Sequence, residues 1–267
     1  MGKPLAPTAI QLGYFADLRA LVGHMHELTT ERLVPLLPRM LGEPHPDART
    51  DAAPGPWVNR IVRQMQAAFE RRWPTERISR LPRRVAVATS EHQKRELFRQ
   101  LKAGLGIELA AIADRGLTRR IEQFTAENVS LIRSIAPAYF GQVEQVALAG
   151  IRAGDRADKI AGDLADRASV ARSRAKLIAR DQVSKLTGEL NHARQSSLGI
   201  EQYIWRTMND NRVRSDHEER DGNTYDWSKA PGDPDDPRTG GHPGRAINCR
   251  CYAEPILSGI LDALGDR

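Results

Sequence analysis

The sequence predicts a mainly α N-terminal region followed by a small, loop-rich α+β C-terminal domain. Three observations predict it. Hydrophobic residues make up 40% of the chain, aromatic ones 5% and charged ones 28%, the balance of Ala- and Leu-rich helices with charged faces rather than of a β-sandwich. Apolar residues recur at steps of three and four from Tyr14 to Leu190, the period of helices with one buried face. From Glu201 to Thr207 the chain turns aromatic and β-branched, which is strand composition. A chain of 267 residues can bury one large core or two modest ones. The expected division sets a variable helical interaction region, residues 1–150, before a C-terminal domain, residues 151–267.

The elements follow in order. Residues 1–40 open with Tyr14, Leu18, Leu21, Met25 and Leu28 on one helical face. Leu41 to Pro56 is too rich in Pro and Gly to continue that helix and reads as a loop or linker. Val58 to Trp73 resumes the helical pattern through Ile61, Met65, Ala68 and Phe69, and Pro74 stops it because proline lacks an amide hydrogen and its ring collides with the preceding turn. Ser90 and Gln93 have the spacing of a capping box and predict a helix start, running to about Ile112 and weakened at Gly104 and Gly106. Leu117 to Ile135 is amphipathic through Ile121, Phe124, Val129 and Ile132, and Pro137 starts another helix through Ala149. Asp155 caps a short helix with Ile160 and Leu164. Ser169 then caps a long one whose inner face is Ala175, Ile178, Val183, Leu186 and Leu190, ended by Leu198-Gly199. Beyond the first strand, Ile247 to Tyr252 is expected to return as a strand beside Tyr203 to Arg206. Ile247 and Tyr252 would then cover Ile204 and Trp205, and Cys249 and Cys251 would share one face directed towards His217.

Charge is unevenly placed. The formal net charge is +6, which favours a polyanionic partner without requiring one. Arg49 to Arg84 holds nine Arg against three acidic residues, whereas Asn209 to Pro237 holds nine acidic residues against four basic ones. Arg71, Arg72, Arg83 and Arg84 are therefore candidates to face nucleic-acid phosphates. A solvated helix face, or a surface for an acidic protein, is the favoured reading of the segment, since no aromatic interleaving or nucleic-acid module accompanies it. No stretch has the length of uncharged apolar sequence a membrane span needs, and Met1 to Met25 lacks a signal-peptide pattern. Cytosol-like surroundings and no membrane are expected.

Reactive residue types gather at one end. Both cysteines, Cys249 and Cys251, and two of the seven histidines, His217 and His242, fall between Ile200 and Pro255. A disulfide across one intervening residue would close a small, strained ring, so thiols or metal ligands are the better readings. Imidazole and thiolate together suit zinc or another divalent ion, held by some subset of His217, His242, Cys249 and Cys251. Cys-x-Cys is nevertheless a poorer knuckle than Cys-x-x-Cys. The alternative is structural: His217 and Asp221, four apart, hydrogen-bond each other or nearby backbone, Gly222 ends their turn, Asn248 satisfies loop carbonyls and amides, and Arg245 and Arg250 pair with Asp233, Asp235 and Asp236. Trp205 and Trp227 read as core residues. A catalytic reading assigns His217 as base, Asp221 as its orienter and Cys249 or a metal-bound water as nucleophile, but no oxyanion-hole or nucleophile-elbow signature supports it, and no residue is assigned as catalytic.

Taken as an ordered series, these motifs resemble the C-terminal domain of the phage Mu F-like head morphogenesis family, which includes the minor head proteins of SPP1-type phages. The series comprises Ala179-Arg180-Asp181 with Asn191, Gly199-Ile200, Tyr203 to Thr207 with Trp205 at its centre, and Asp210 with Arg212-Val213-Arg214. It continues through His217, Asp221-Gly222 and His242-Pro243 to Asn248-Cys249-Arg250-Cys251. Over about residues 150–257 the resemblance implies a minor head protein of a tailed bacteriophage. Such a protein is a virion component near the portal vertex, present in few copies, with the portal protein, other head components and packaged double-stranded DNA as partners, and it is needed to assemble infectious heads. It implies no catalysis. The alternative kept beside it is a metal-dependent enzyme acting on nucleic acid, or a toxin-like effector, built on the same domain.

Overall fold

The structure is a computed structural model that describes residues 6–42, 54–105, 117–233, 236 and 240–257. Arg49, Asp235 and most of the expected linker lie outside them. Helix α1 spans Thr8–Arg32 and is followed by a 3-10 turn, Val34–Leu36, and α2, Leu37–Met40. Then come α3, Pro54–Arg72; α4, Thr75–Leu105; α5, Leu117–Arg133; α6, Ile135–Ala153; and α7, Ala157–Ser197. Strand β1, Gln202–Arg206, a single-turn helix α8, Ser215–Glu219, strand β2, Thr224–Asp226, and strand β3, Tyr252–Pro255, complete the described elements. A helical N-terminal region and a small antiparallel sheet in the C-terminal part are the predicted fold class.

Two compact units form. One is built from residues 14–81 and 127–178, the other from 1–13, 82–126 and 179–267. The expected division at residue 151 falls inside α6, and the units interleave along the chain instead of following one another.

The first of these units is a helical core. The predicted α1 face is buried throughout, with Tyr14, Leu18, Leu21, Met25 and Leu28 each at most 4% exposed. Phe69 of α3 meets Phe140 of α6 edge to face at 6.1 Å between ring centres. Two polar contacts fix the helices' rotation: Tyr14 donates to Asn128 Oδ1 at 3.0 Å, and the Thr29 and Tyr139 hydroxyls lie 3.1 Å apart.

Helix boundaries differ from expectation in two informative places. Residues 157–197 form one helix, not two, because the sequence around Ser169 is rich in Ala and Arg and contains no breaker. Ser90 and Gln93 do not start a helix. The helix containing them begins at Thr75, directly after Pro74, whose carbonyl accepts the amides of Arg77 and Ile78. The apparent capping box is instead a buried anchor for Arg194 of α7, which is 1% exposed. Arg194 Nη1 donates to the Ser90 carbonyl at 3.0 Å and to Gln93 Oε1, and Nη2 to Ser90 Oγ at 2.9 Å.

The second unit carries the sheet, ordered β2-β1-β3 and antiparallel throughout. Helix α7 ends as predicted: Gly199 takes φ +75°, and the amide of Ile200 reaches back to the Gln195 carbonyl at 3.0 Å, a glycine C-terminal cap. The returning strand does pair with β1, but it is Tyr252–Pro255, with Trp205 opposite Ala253 and Arg206 opposite Tyr252. Residues 247–251 are irregular because Asn248 adopts φ +60° and the Cys249 amide bonds the Ala246 carbonyl at 2.9 Å. Cover for Tyr203, Trp205 and Trp227 accordingly comes from Ala246, Cys249, Cys251 and Ala253, not from Ile247 and Tyr252. The short strand β2 has no counterpart among the expected elements.

One close approach ties this irregular segment to α7. A Cβ added at Gly188 would collide with the Pro243 carbonyl oxygen, a backbone atom that cannot swing aside. At Gly162, in the same helix, an added Cβ would meet nothing within 4 Å. Gly162→Ala should therefore stabilise the protein by about 0.5–1 kcal/mol, whereas Gly188→Ala should destabilise it by about 1–3 kcal/mol. Denaturant melts of the two variants check the opposite signs.

Candidate functional site

Helix α7 presents a polar face to the irregular segment. Asp181 Oδ1 accepts the Asn248 amide at 3.1 Å, and Arg180 Nη2 donates to the Asn248 carbonyl at 3.5 Å. One and two turns past Gly188, Asn191 Nδ2 and Gln195 Nε2 both donate to the Ala253 carbonyl at 3.2 Å. Gln195 Oε1 also accepts the Trp227 indole N–H at 3.0 Å. These positions share one helical face, and they hold the segment that carries the cysteines.

The site forms where that segment meets α8. His217 is 2% exposed and sits edge-on to Trp205 at 5.2 Å between ring centres. Its Nδ1 lies 3.6 Å from Cys249 Sγ and 3.5 Å from Cys251 Sγ. The three potential ligand atoms are all within 4.8 Å of one another. Cys251 lowers the pKa of Cys249 well below that of an ordinary thiol by hydrogen bonding to its sulfur; burial opposes this, and His217 and the Gly244 amide assist. The Cys251 thiol is pushed up by the same bond and by burial.

Of the four expected metal-binding residues, the structure brings three together. His242 lies elsewhere: Tyr203 OH is 2.9 Å from its Nδ1, and its ring sits against Trp227 at 4.8 Å and His192 at 5.3 Å. Asp221 does not touch His217; its Oδ1 accepts the Thr207 amide at 2.7 Å, and Gly222, at φ +80°, returns its amide to the Trp205 carbonyl at 2.9 Å. Arg250 pairs with Asp210, not with the acidic loop, through Nη1 at 2.6 Å and through Nη2, and this holds the Asp210 carboxyl down to about 2. Arg214 Nη2 donates to the Ile247 carbonyl at 2.6 Å, and the Arg212 amide to Asp210 Oδ1 at 3.1 Å. Arg71, Arg72, Arg83 and Arg84 are exposed on α3 and α4.

Sequence reasoning missed His192, Gln195 and Asp216. The first two could have been found from polar residues falling at steps of three and four along α7 beside its apolar face. Asp216 carries no sequence signal; only the fold sets its Oδ2 3.6 Å from His217 Nε2.

Residues 141–254 match the family described as Phage Mu protein F like protein, and the ordered motif series from Ala179 to Cys251 lies within those bounds. The match covers the C-terminal region of the chain, which is similar to that family over those residues. An uncharacterized protein of Haemophilus influenzae is 35% identical over 164 residues, which cover 61% of this chain and 35% of that relative. The chain thus spans about a third of that relative's length. No solved structure matches the chain. Among the described residues, no helix is long and apolar enough to cross a membrane.

Burial pushes the His242 pKa down from its ordinary 6.5 to about 4, assisted by His192 and Arg245, while the Trp227 backbone and Asp226 oppose the shift. Between those values the unfolded chain binds a proton that the folded chain does not, so stability should fall as pH drops from 6.5 towards 4 and level off below. His242→Gln should flatten that slope in denaturant midpoints measured across the window. An unchanged slope would assign the pH dependence to other groups.

Proposed function

We propose that this chain is a minor head morphogenesis protein of a tailed bacteriophage, incorporated into the virion near the portal vertex and needed for infectious heads. The observation that carries the reading is the family match over residues 141–254, whose motif residues serve one structural purpose here. They hold an irregular segment on α7 and close it with a small sheet. The helical unit formed by residues 14–81 and 127–178 is then a surface for head or portal contacts.

The enzyme and effector readings have no support in the comparisons. Packaged DNA is the proposed second partner, reached through the exposed side chains of Arg71, Arg72, Arg83 and Arg84. In purified particles the protein should be present in few copies and should cross-link to the portal protein. Absence from particles, or hundreds of copies per head, would contradict the proposal. For DNA, changing the four arginines to glutamine should lower the salt slope of duplex binding by roughly 0.9 for each phosphate no longer neutralised. An unchanged slope would place them on a protein interface.

A further inference from the structure

We infer that His217 Nδ1, Cys249 Sγ and Cys251 Sγ hold a zinc ion whose fourth coordination position opens onto an arginine-lined cavity. The inference is independent of any role in phage heads and rests on three observations.

Geometry comes first. Zinc binds thiolate sulfur at about 2.3 Å and imidazole nitrogen at about 2.0–2.1 Å, so the nitrogen-to-sulfur edge of a tetrahedral site is about 3.5 Å. The two edges here are 3.6 and 3.5 Å. The usual objection to Cys-x-Cys assumes an extended strand, and this segment is not one. Asn248, at φ +60°, turns the chain ahead of Cys249, and Arg250 is drawn away from the sulfurs by Asp210, so both thiols converge on the imidazole.

Hydrogen bonding comes second. A neutral imidazole with its proton on Nε2 offers a single lone pair at Nδ1, yet two sulfurs face that atom. On the far side, His217 Nε2 and Asp216 Oδ2 are both buried without a hydrogen bond and face each other at 3.6 Å, and the same oxygen lies 3.6 Å from Arg220 Nη2. A carboxylate behind the distal nitrogen is how metal-bound histidines are oriented: it holds the proton on Nε2 and presents the Nδ1 lone pair to the metal. A cation between Nδ1 and two thiolates satisfies all three ligand atoms at once. Two thiolates also neutralise its charge.

The third observation is space. A cavity of about 80 Å³ is lined by His217, Cys249 and Cys251 together with Arg180, Arg212, Arg214 and Arg250. Asp210 is the carboxylate paired there, with Arg250, so positive charge is in excess. The fourth ligand is therefore a water or hydroxide, exchangeable for a small anion, and not a fourth protein side chain.

Cobalt(II) substituted into the full chain tests this. Intense tetrahedral d–d bands and a thiolate-to-cobalt charge-transfer band are expected, the d–d bands should shift when azide is added, and protein purified without chelator should carry about one zinc per chain with both thiols protected from alkylation. Cys249→Ser and Cys251→Ser should lose the charge-transfer intensity, and His242→Ala should keep it. Weak octahedral-type bands with both thiols freely alkylated in the wild type, needing no variant to fold, would overturn the site. Insensitivity to azide would overturn the open fourth position. Loss of binding in His242→Ala equal to that in Cys251→Ser would overturn the assigned ligand set.

Discussion

The C-terminal module depends on one face of one helix. Between Trp227 and Tyr252 the described chain has no strand or helix of its own, so beyond local turns such as Gly241 to the Pro231 carbonyl and Cys249 to the Ala246 carbonyl its buried backbone groups need partners from elsewhere, since buried unpaired groups cost about 1–3 kcal/mol each. Helix α7 supplies them. Asp181 and Arg180 take the two backbone groups of Asn248, Gly188 lets the Pro243 carbonyl approach, and Asn191 with Gln195 takes the Ala253 carbonyl. Arg194, one residue before Gln195, fixes the helix to α4 through Ser90 and Gln93. The same stretch of α7 also carries the buried apolar residues Val183, Leu186 and Leu190, so it is packed on two sides and cannot rotate to release the segment.

The site inherits its order from that arrangement. Cys249 is held from below by the Asn248 contacts and from the side by the Gly244 amide, 3.4 Å from its sulfur. His217 is held by α8 and by the edge of Trp205, and Trp205 sits in β1 opposite Ala253, whose carbonyl α7 holds. Chemistry and architecture therefore share the same residues.

Much of this is legible in the sequence, for physical reasons. Helical periodicity identifies the buried faces of α1 and α7, because apolar spacing reports burial directly, but in α5 only Phe124 and Ile132 of the four expected residues are buried, beside the fully buried Asn128. The meeting of His217 with Cys249 and Cys251 is legible because few reactive residues exist and they cluster. Long-range polar pairing is not legible. Ser90 and Gln93 have the spacing of a cap, and only the fold shows that they serve Arg194, 104 and 101 residues away. The register of β3 is displaced because Asn248 leaves the extended conformation, a choice that the Asp181 carboxylate stabilises from far along the chain. His242 looks like a ligand because histidine is a common one, and it is instead a neutral partner for Tyr203 within an aromatic cluster.

Hydrogen exchange of Gln195→Leu against the wild type, resolved by peptide, tests the dependence on α7 most directly. Leucine keeps the volume and removes both the acceptor for the Trp227 indole and a donor to the Ala253 carbonyl. The expected result is exchange about tenfold or more faster across residues 243–255, as about 1–3 kcal/mol of local stability is lost, with the α3 and α6 peptides unchanged. Equal exchange of residues 243–255 in the two proteins would show that the segment holds itself, and the central role given to the α7 face would be wrong.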